Sequence, residues 1–232
     1  LVWCRLFFNR KNFIKYIESN KETITQAKGW NDFEMNLHAG LVANGFREDN
    51  TDSSEALADF VNRIRPLVHD KTGSVLLENE LYKNNEEYED FFLVEPYGTQ
   101  NYPDIMVFTK EKVIMVESKF STNSGTKPMW NSNIPKQDSF YIFGSKGRKD
   151  VAIFTGDSIV SPAVRARLVE ITNQSVEFTK NSISEFKDEY EEGNDFNITV
   201  YPRMAYAQAG SLIDKKEKLY DDVIKLIDKH NL

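Results

Sequence analysis

The stretch Asn101–Phe120, NYPDIMVFTKEKVIMVESKF, decides how the rest of the chain is read. Ile105, Val107 and Phe108, then Val113, Ile114, Met115 and Val116, are strand formers, and polar Thr109-Lys110-Glu111-Lys112 separates them. That pattern predicts two strands joined by a tight turn. With the hairpin centred on Lys110-Glu111, Phe108 faces Val113, Met106 faces Met115 and Asp104 faces Glu117. Directly opposed residues place their Cβ atoms about 5 Å apart on one face. Lys119, two residues beyond Glu117, shares that face. One side of the hairpin is therefore apolar at its turn end and carries two acids and a lysine at its open end.

Two carboxylates at that separation raise each other's pKa and need a positive partner. A hard divalent cation such as magnesium suits a pair of carboxylate oxygens and keeps several of its waters. A neighbouring lysine can polarise one of those waters or hold a phosphate oxygen, a set suited to phosphodiester hydrolysis. The plainer alternative is a surface hairpin with a salt bridge at its open end.

Pro103-Asp104, a short spacer and Glu117-Ser118-Lys119 resemble the PD-(D/E)xK nuclease motif, and within that superfamily the chain is most similar to type II restriction endonucleases. Glu-x-Lys alone is common by chance, whereas Pro-Asp opening one strand opposite Glu-x-Lys closing the next is far more specific. The resemblance implies an α/β fold: one domain over residues 1–232, with a central mixed β-sheet of about five strands flanked by helices and the catalytic hairpin (102–120) at its centre. It implies Mg2+ held by Asp104, Glu117 and the backbone carbonyl of Ser118. Lys119 would orient or activate the attacking water and offset charge on the pentavalent phosphate. An early helix often supplies a further glutamate in such nucleases, and Glu34 matches that role; a solvated helix glutamate is the equal alternative. Double-stranded DNA as substrate, a homodimer matched to a palindromic site, a cognate DNA methyltransferase as functional but not physical partner, and a bacterial or archaeal cytoplasm follow from the same resemblance. The alternatives are another nuclease of the superfamily (repair, junction-resolving or transposition) and a non-catalytic DNA-binding domain of the same fold. The complete Asp-Glu-Lys set argues against the last.

Composition agrees with one soluble-type domain. The chain has 232 residues, a formal net charge of −7, one cysteine (Cys4) and three histidines. It is long enough for a substantial core. The lone cysteine excludes an internal disulfide framework and fits a reducing compartment, and the histidines have no zinc spacing. No apolar run approaches the roughly 20 residues of a membrane helix. The opening LVWCRLFFNR is short, broken by Arg5, and reads as a helix lead-in rather than a signal peptide. The negative charge argues against non-specific coating of nucleic acid. Charge is segregated, however: between Lys119 and Arg167 stand eight basic residues against three acids, while the stretch before the hairpin, NNEEYEDFF, is heavily acidic.

Around the hairpin, helices are expected over Asn12 to about Gln26, from a cap at Asn31 or Asp32 to Gly45 with Phe33, Leu37 and Leu41 inward, and from Thr51–Glu55 up to Pro66, which ends or kinks it. Ser74–Tyr88 is mixed, with helix around Leu76–Leu81. Phe91–Glu95 is a strand, and Tyr97–Tyr102 a loop at the mouth of the site. Residues 121–138 have too much Gly, Pro and Asn for a helix. An aperiodic loop of that length is often functional. Lysines contact phosphate or guanine, and amides read adenine edges. Lys127, Trp130, Asn131, Asn133, Lys136 and Gln137 are therefore expected to touch DNA, with a loop pinned to the core by Met129 and Trp130 as the alternative. Ser139–Gly144 and Val151–Gly156 are strands around a basic turn whose Arg148 can grip phosphate. Ser161-Pro162 opens a helix carrying Arg165 and Arg167, either of which can reach a duplex or stay solvated. A second, acidic helix is expected from Gln174 to about Glu192, then a strand over Phe196–Tyr206. A last helix after Gly210-Ser211 packs on the core or forms a dimer face.

Overall fold

The computed structural model describes residues 10–131, 133–189, 205–230 and 232. In chain order these fold as α1 (Arg10–Ser19), α2 (Lys21–Ile24), α3 (Trp30–Ala43), β1 (Arg47–Asp49), α4 (Glu55–His69), β2 (Leu77–Glu78), β3 (Phe91–Val94), β4 (Ile105–Phe108) and β5 (Lys112–Ser121). There follow β6 (Trp130–Asn131), β7 (Phe140–Ser145), β8 (Asp150–Thr155), α5 (Gly156–Ile159), α6 (Pro162–Glu189), β9 (Ala205–Tyr206) and α7 (Lys216–His230). The opening residues with Cys4, the last residues of the acidic helix expected to run to about Glu192 and most of the strand expected over Phe196–Tyr206 lie outside the described residues.

The hairpin has the register read from its sequence: Phe108 pairs with Val113 and Met106 with Met115. It sits mid-sheet in the order β1-β3-β4-β5-β7-β8, with β2 also paired to β5. The sheet is mixed, because β5 and β7 run parallel while β3, β4 and β5 alternate. It has seven strands rather than about five; the additional ones are the two short polar edge pieces β1 and β2. Residue-by-residue alternation sorts the two faces. Val107, Ile114, Val116, Phe140, Ile142 and Ile153 pack under α1, α3 and α7. Phe91, Leu93, Met106, Phe108, Val113 and Met115 pack under α4. Burying each such large side chain contributes about 1.5–3 kcal/mol. A third cluster of Trp130, Tyr141, Phe143 and Phe154 covers the β7–β8 half of that second face. Sequence and packing agree on one α/β domain with helices on both faces of its sheet.

Several boundaries differ from the sequence reading. The first expected helix is two, α1 and α2, parted at Asn20. Helix α3 is capped by Gly29, and Asp32 instead accepts the Lys28 N–H at 3.0 Å from the first turn. Gly45 takes the left-handed φ of +92° expected of a helix stop. Ser54 caps α4 through the Leu57 N–H, and the helix runs past Pro66 to His69. Leu77–Glu78 is strand, not helix, because its backbone joins the β5 edge. Helix α6 is continuous where two helices were expected; its middle contains no glycine or proline to stop it. The last helix packs on the core, burying Val223 and Ile227 in one cluster and Leu219 in another.

Candidate active site

The end of the hairpin away from its turn gathers acids from three elements. Strand β5 brings Glu117, buried, and Lys119 two residues on, whose Nζ lies 2.5 Å from Glu117 Oε1. Asp104 immediately precedes β4, and its Oδ2 accepts the backbone N–H of Ser118 at 2.6 Å. Within a strand, the N–H and C=O of one residue point to the same edge. The Ser118 carbonyl therefore leaves β5 on the side of Asp104, where the β4 ladder has ended.

Glu34 arrives from the opposite face. Phe33 stacks on Phe120 at 4.8 Å between centroids, and Gly144 permits this approach: a Cβ there would lie 2.4 Å from the Phe33 ring. With Phe33, Leu37 and Leu41 buried against the sheet, the residue after Phe33, at the start of the second turn of α3, is delivered over Ser118. Glu34 is buried, and its Oε1 accepts the Ser118 hydroxyl at 2.7 Å. The solvated alternative for Glu34 is thereby set aside: the helix turns this residue toward Asp104 and Glu117.

Burial dominates the electrostatics. It pushes the Glu117 carboxyl up to about 7 despite the Lys119 ammonium, with the negative Asp104 adding to the rise. Glu34 is pushed up to about 8, by burial first and then by Asp104, Glu95 and Glu117, against the Ser118 hydroxyl. Asp104 is also raised by burial, partly offset by Lys119 and by the Ser118 N–H. An ion pair with one lysine is too little positive charge for three clustered acids. Glu117 Oε2 is moreover buried with no hydrogen-bond partner among the described residues. A buried carboxylate oxygen without a donor, hard oxygen ligands and a charge deficit are what a magnesium ion would satisfy. No three His, Cys, Asp or Glu side chains among the described residues form a ready cage. Magnesium does not need one, since it binds through one or two carboxylates and retains waters.

The expected DNA contacts divide into two groups. Lys127 and Arg148 are exposed, and Arg167 is exposed with an ion pair to Glu170. Asn133 and Gln137 are half-buried, and the Asn131 side chain lies outside the described residues. Trp130, Lys136 and Arg165 are buried and hydrogen-bonded inside the protein, although Arg165 Nη1 has no partner among the described residues, and this burial corrects their expected contact with DNA. The Trp130 indole donates to Gln208 Oε1 at 2.8 Å and its ring meets Tyr141 and Phe154 edge-on. Lys136 donates to the Asp70 carbonyl at 2.6 Å. Arg165, fully buried, binds the Pro135 and Val160 carbonyls and Asp157. Met129 does not pin the loop; it is 77% exposed.

The sequence reading did not single out Glu95, which directly follows β3 and lies beside Asp104. Its N–H donates to the Asp104 carbonyl at 2.8 Å, and its φ of +43° is left-handed, unusual for a non-glycine residue. Nor did it single out Tyr102, buried two residues before Asp104. The only sequence signals were Glu95-Pro96 closing a strand and an aromatic residue ahead of Pro-Asp. Among the described residues no helix is long and apolar enough to cross a membrane. Comparison with family models, with curated proteins and with solved structures finds no match.

Proposed function

We propose that the chain is a magnesium-dependent endonuclease that hydrolyses phosphodiester bonds in double-stranded DNA, of the type II restriction kind. The observation that carries the reading is the convergence of Asp104, Glu117 and Lys119 at one strand end, with Glu117 Oε2 buried and unpartnered among the described residues. Glu34, reaching the same point from α3, adds to it.

Asp104 and Glu117, with the Ser118 carbonyl, would hold the ion. Bound there, magnesium supplies a water of lowered pKa and neutralises charge on the scissile phosphate. The Ser118 N–H fixes the Asp104 carboxylate, and the ion pair with Glu117 fixes Lys119. The Lys119 ammonium, one-quarter exposed at its side chain, is the group placed to meet a phosphate oxygen or orient the attacking water. Exposed Lys127, Arg148 and Arg167 are the groups left to contact the DNA backbone. In this reading the protein works as a homodimer in a bacterial or archaeal cytoplasm, with a methyltransferase protecting host DNA.

The test is incubation of the purified chain with phage DNA, with magnesium or with EDTA, beside Lys119→Ala. Discrete magnesium-dependent fragments that disappear in the variant are expected. A smear would keep the nuclease and remove sequence specificity. No cleavage of modified, unmodified or branched DNA would leave a binding domain.

A further inference from the structure

We infer that Tyr102 is a positioning residue for Asp104, held by a buried polar clamp in which Lys136 joins the loop after the catalytic lysine to the helix behind the site. This rests on the nuclease reading above and concerns residues outside its motif.

Tyr102 is gripped by three residues, Ser139, His69 and Lys136. Its hydroxyl donates to Ser139 Oγ at 2.7 Å, and Ser139 Oγ donates to the Met115 carbonyl on β5 at 3.2 Å. Its own carbonyl lies 3.1 Å from His69 Nε2 in the last turn of α4, so that nitrogen carries the proton. The Lys136 ammonium lies 5.0 Å from the centre of its ring, a cation–π distance, while donating to the Asp70 carbonyl at the C-cap of α4. The Lys136 backbone N–H donates to the Tyr141 hydroxyl at 2.8 Å, and Tyr141 pairs with Glu117 across β5 and β7. The clamp therefore touches β5, the strand that carries Glu117, and its neighbour β7.

The same helix steadies the segment leading into Tyr102. Tyr97 donates to the Val61 carbonyl at 2.9 Å, and His69 meets its ring edge-on at 5.1 Å. Two residues of this segment, Glu95 and Gln100, have φ of +43° and +70°. Non-glycine residues persist there only when their surroundings over-determine them. Pro103 is buried and Asp104 half-buried, so the chain emerges from the clamp directly at the metal-binding acid. A buried polar network of this kind fixes one arrangement when every member is bonded and loosens when one bond is lost.

Tyr102→Phe removes the hydroxyl alone, and Lys136→Met removes the cation at nearly constant length. Groups that support a metal ligand from behind typically alter metal affinity by about 10–100-fold when removed. A displacement of about 1 Å in a catalytic constellation costs about 100-fold in rate. Expected for both variants are a Mg2+ dissociation constant raised at least about tenfold by calorimetry, a kcat lowered about 10–100-fold, and an unchanged KM for DNA. His69→Gln, which can still donate to the Tyr102 carbonyl, is expected to retain most of the affinity. The full chain is used throughout, with circular dichroism confirming the fold of each variant; if one variant unfolds, the other decides. Wild-type Mg2+ affinity and kcat in a folded Tyr102→Phe or Lys136→Met would overturn the inference. Failure of the wild type to cleave would overturn the nuclease reading instead, with the calorimetric comparison still judging the clamp.

Discussion

The backbone N–H of Ser118 lies 2.6 Å from Oδ2 of Asp104, so the residue between Glu117 and Lys119 binds the remaining acid of the motif. The same residue gives its hydroxyl to Glu34 at 2.7 Å. One strand position thus ties together acids from two other elements, with its main chain toward Asp104 and its side chain toward the helix. Ser118→Ala separates the two bonds, because the backbone bond survives. Leaving Glu34 Oε1 buried without that donor is expected to cost about 1–3 kcal/mol, read from urea unfolding. Cleavage should persist in Ser118→Ala, whereas Glu117→Gln, which replaces an oxygen proposed to bind the metal, should abolish it. Loss of cleavage in Ser118→Ala with unchanged stability would mean that the hydroxyl acts in the chemistry itself.

Arg165 and Arg167 are two residues apart on α6 and predict opposite outcomes. Arg165 is fully buried and bonds two carbonyls and Asp157. Arg165→Met leaves these acceptors unpaired and should destabilise the chain by about 3–5 kcal/mol, seen as a large fall in the urea midpoint. Arg167 is mostly exposed and pairs with Glu170 on the next turn. Arg167→Ala should change stability by less than about 0.5 kcal/mol. If Arg167→Ala weakens DNA binding at constant stability, the helix end faces the duplex.

How much of this was legible follows from which interactions are local. The hairpin register was readable because a polar four-residue turn and flanking strand formers leave one alignment that buries Met106, Phe108, Val113 and Met115 together. Asp104, Glu117 and Lys119 then follow by counting. The approach of Glu34 could be proposed but not decided, since it depends on Phe33 closing over Gly144, a contact more than a hundred residues apart in sequence. The roles of Lys136, Trp130 and Arg165 were misread for the same reason. A lysine, a tryptophan and an arginine near the Asp-Glu-Lys motif look available to DNA until long-range packing supplies Asp70, Gln208 and the Pro135 carbonyl as partners. Strand β1 was invisible because Arg47-Glu48-Asp49 has no apolar signal; its pairing with β3 creates it.

Lys127 and Arg148 remain exposed at the same end of the sheet as the acids, because β7 runs parallel to β5 and its turn projects past Lys119. A lysine or arginine that neutralises a phosphate releases counterions, so each such contact contributes about 0.9 to the slope of log affinity against log salt. Lys127→Ala and Arg148→Ala are each expected to weaken binding uniformly across sequences and to reduce that slope by about one. Fluorescence anisotropy over a salt series, in calcium to prevent cleavage, measures it. An unchanged slope in both variants would place the DNA path elsewhere.

The raised acids also fix how stability and metal binding change with pH. Glu117 and Glu34 ordinarily titrate near 4.5 and are pushed up to about 7 and about 8. An acid with a raised folded-state pKa keeps its proton after the unfolded chain has lost it. Its contribution to stability is full below the ordinary value and is lost as pH rises through the folded value. The metal-free protein should therefore lose stability progressively between about pH 4.5 and pH 8 on account of these two groups, and Glu117→Gln should flatten the lower part of that decline. Metal binding runs the other way, because magnesium needs the carboxylates ionised and displaces their protons. Below about pH 7 its affinity should climb by up to tenfold per pH unit for each proton released. Urea midpoints in EDTA against those in saturating magnesium, across the same pH range, measure both trends together. The two curves should diverge as pH rises. Parallel curves would mean that cation binding does not depend on ionisation of Glu117.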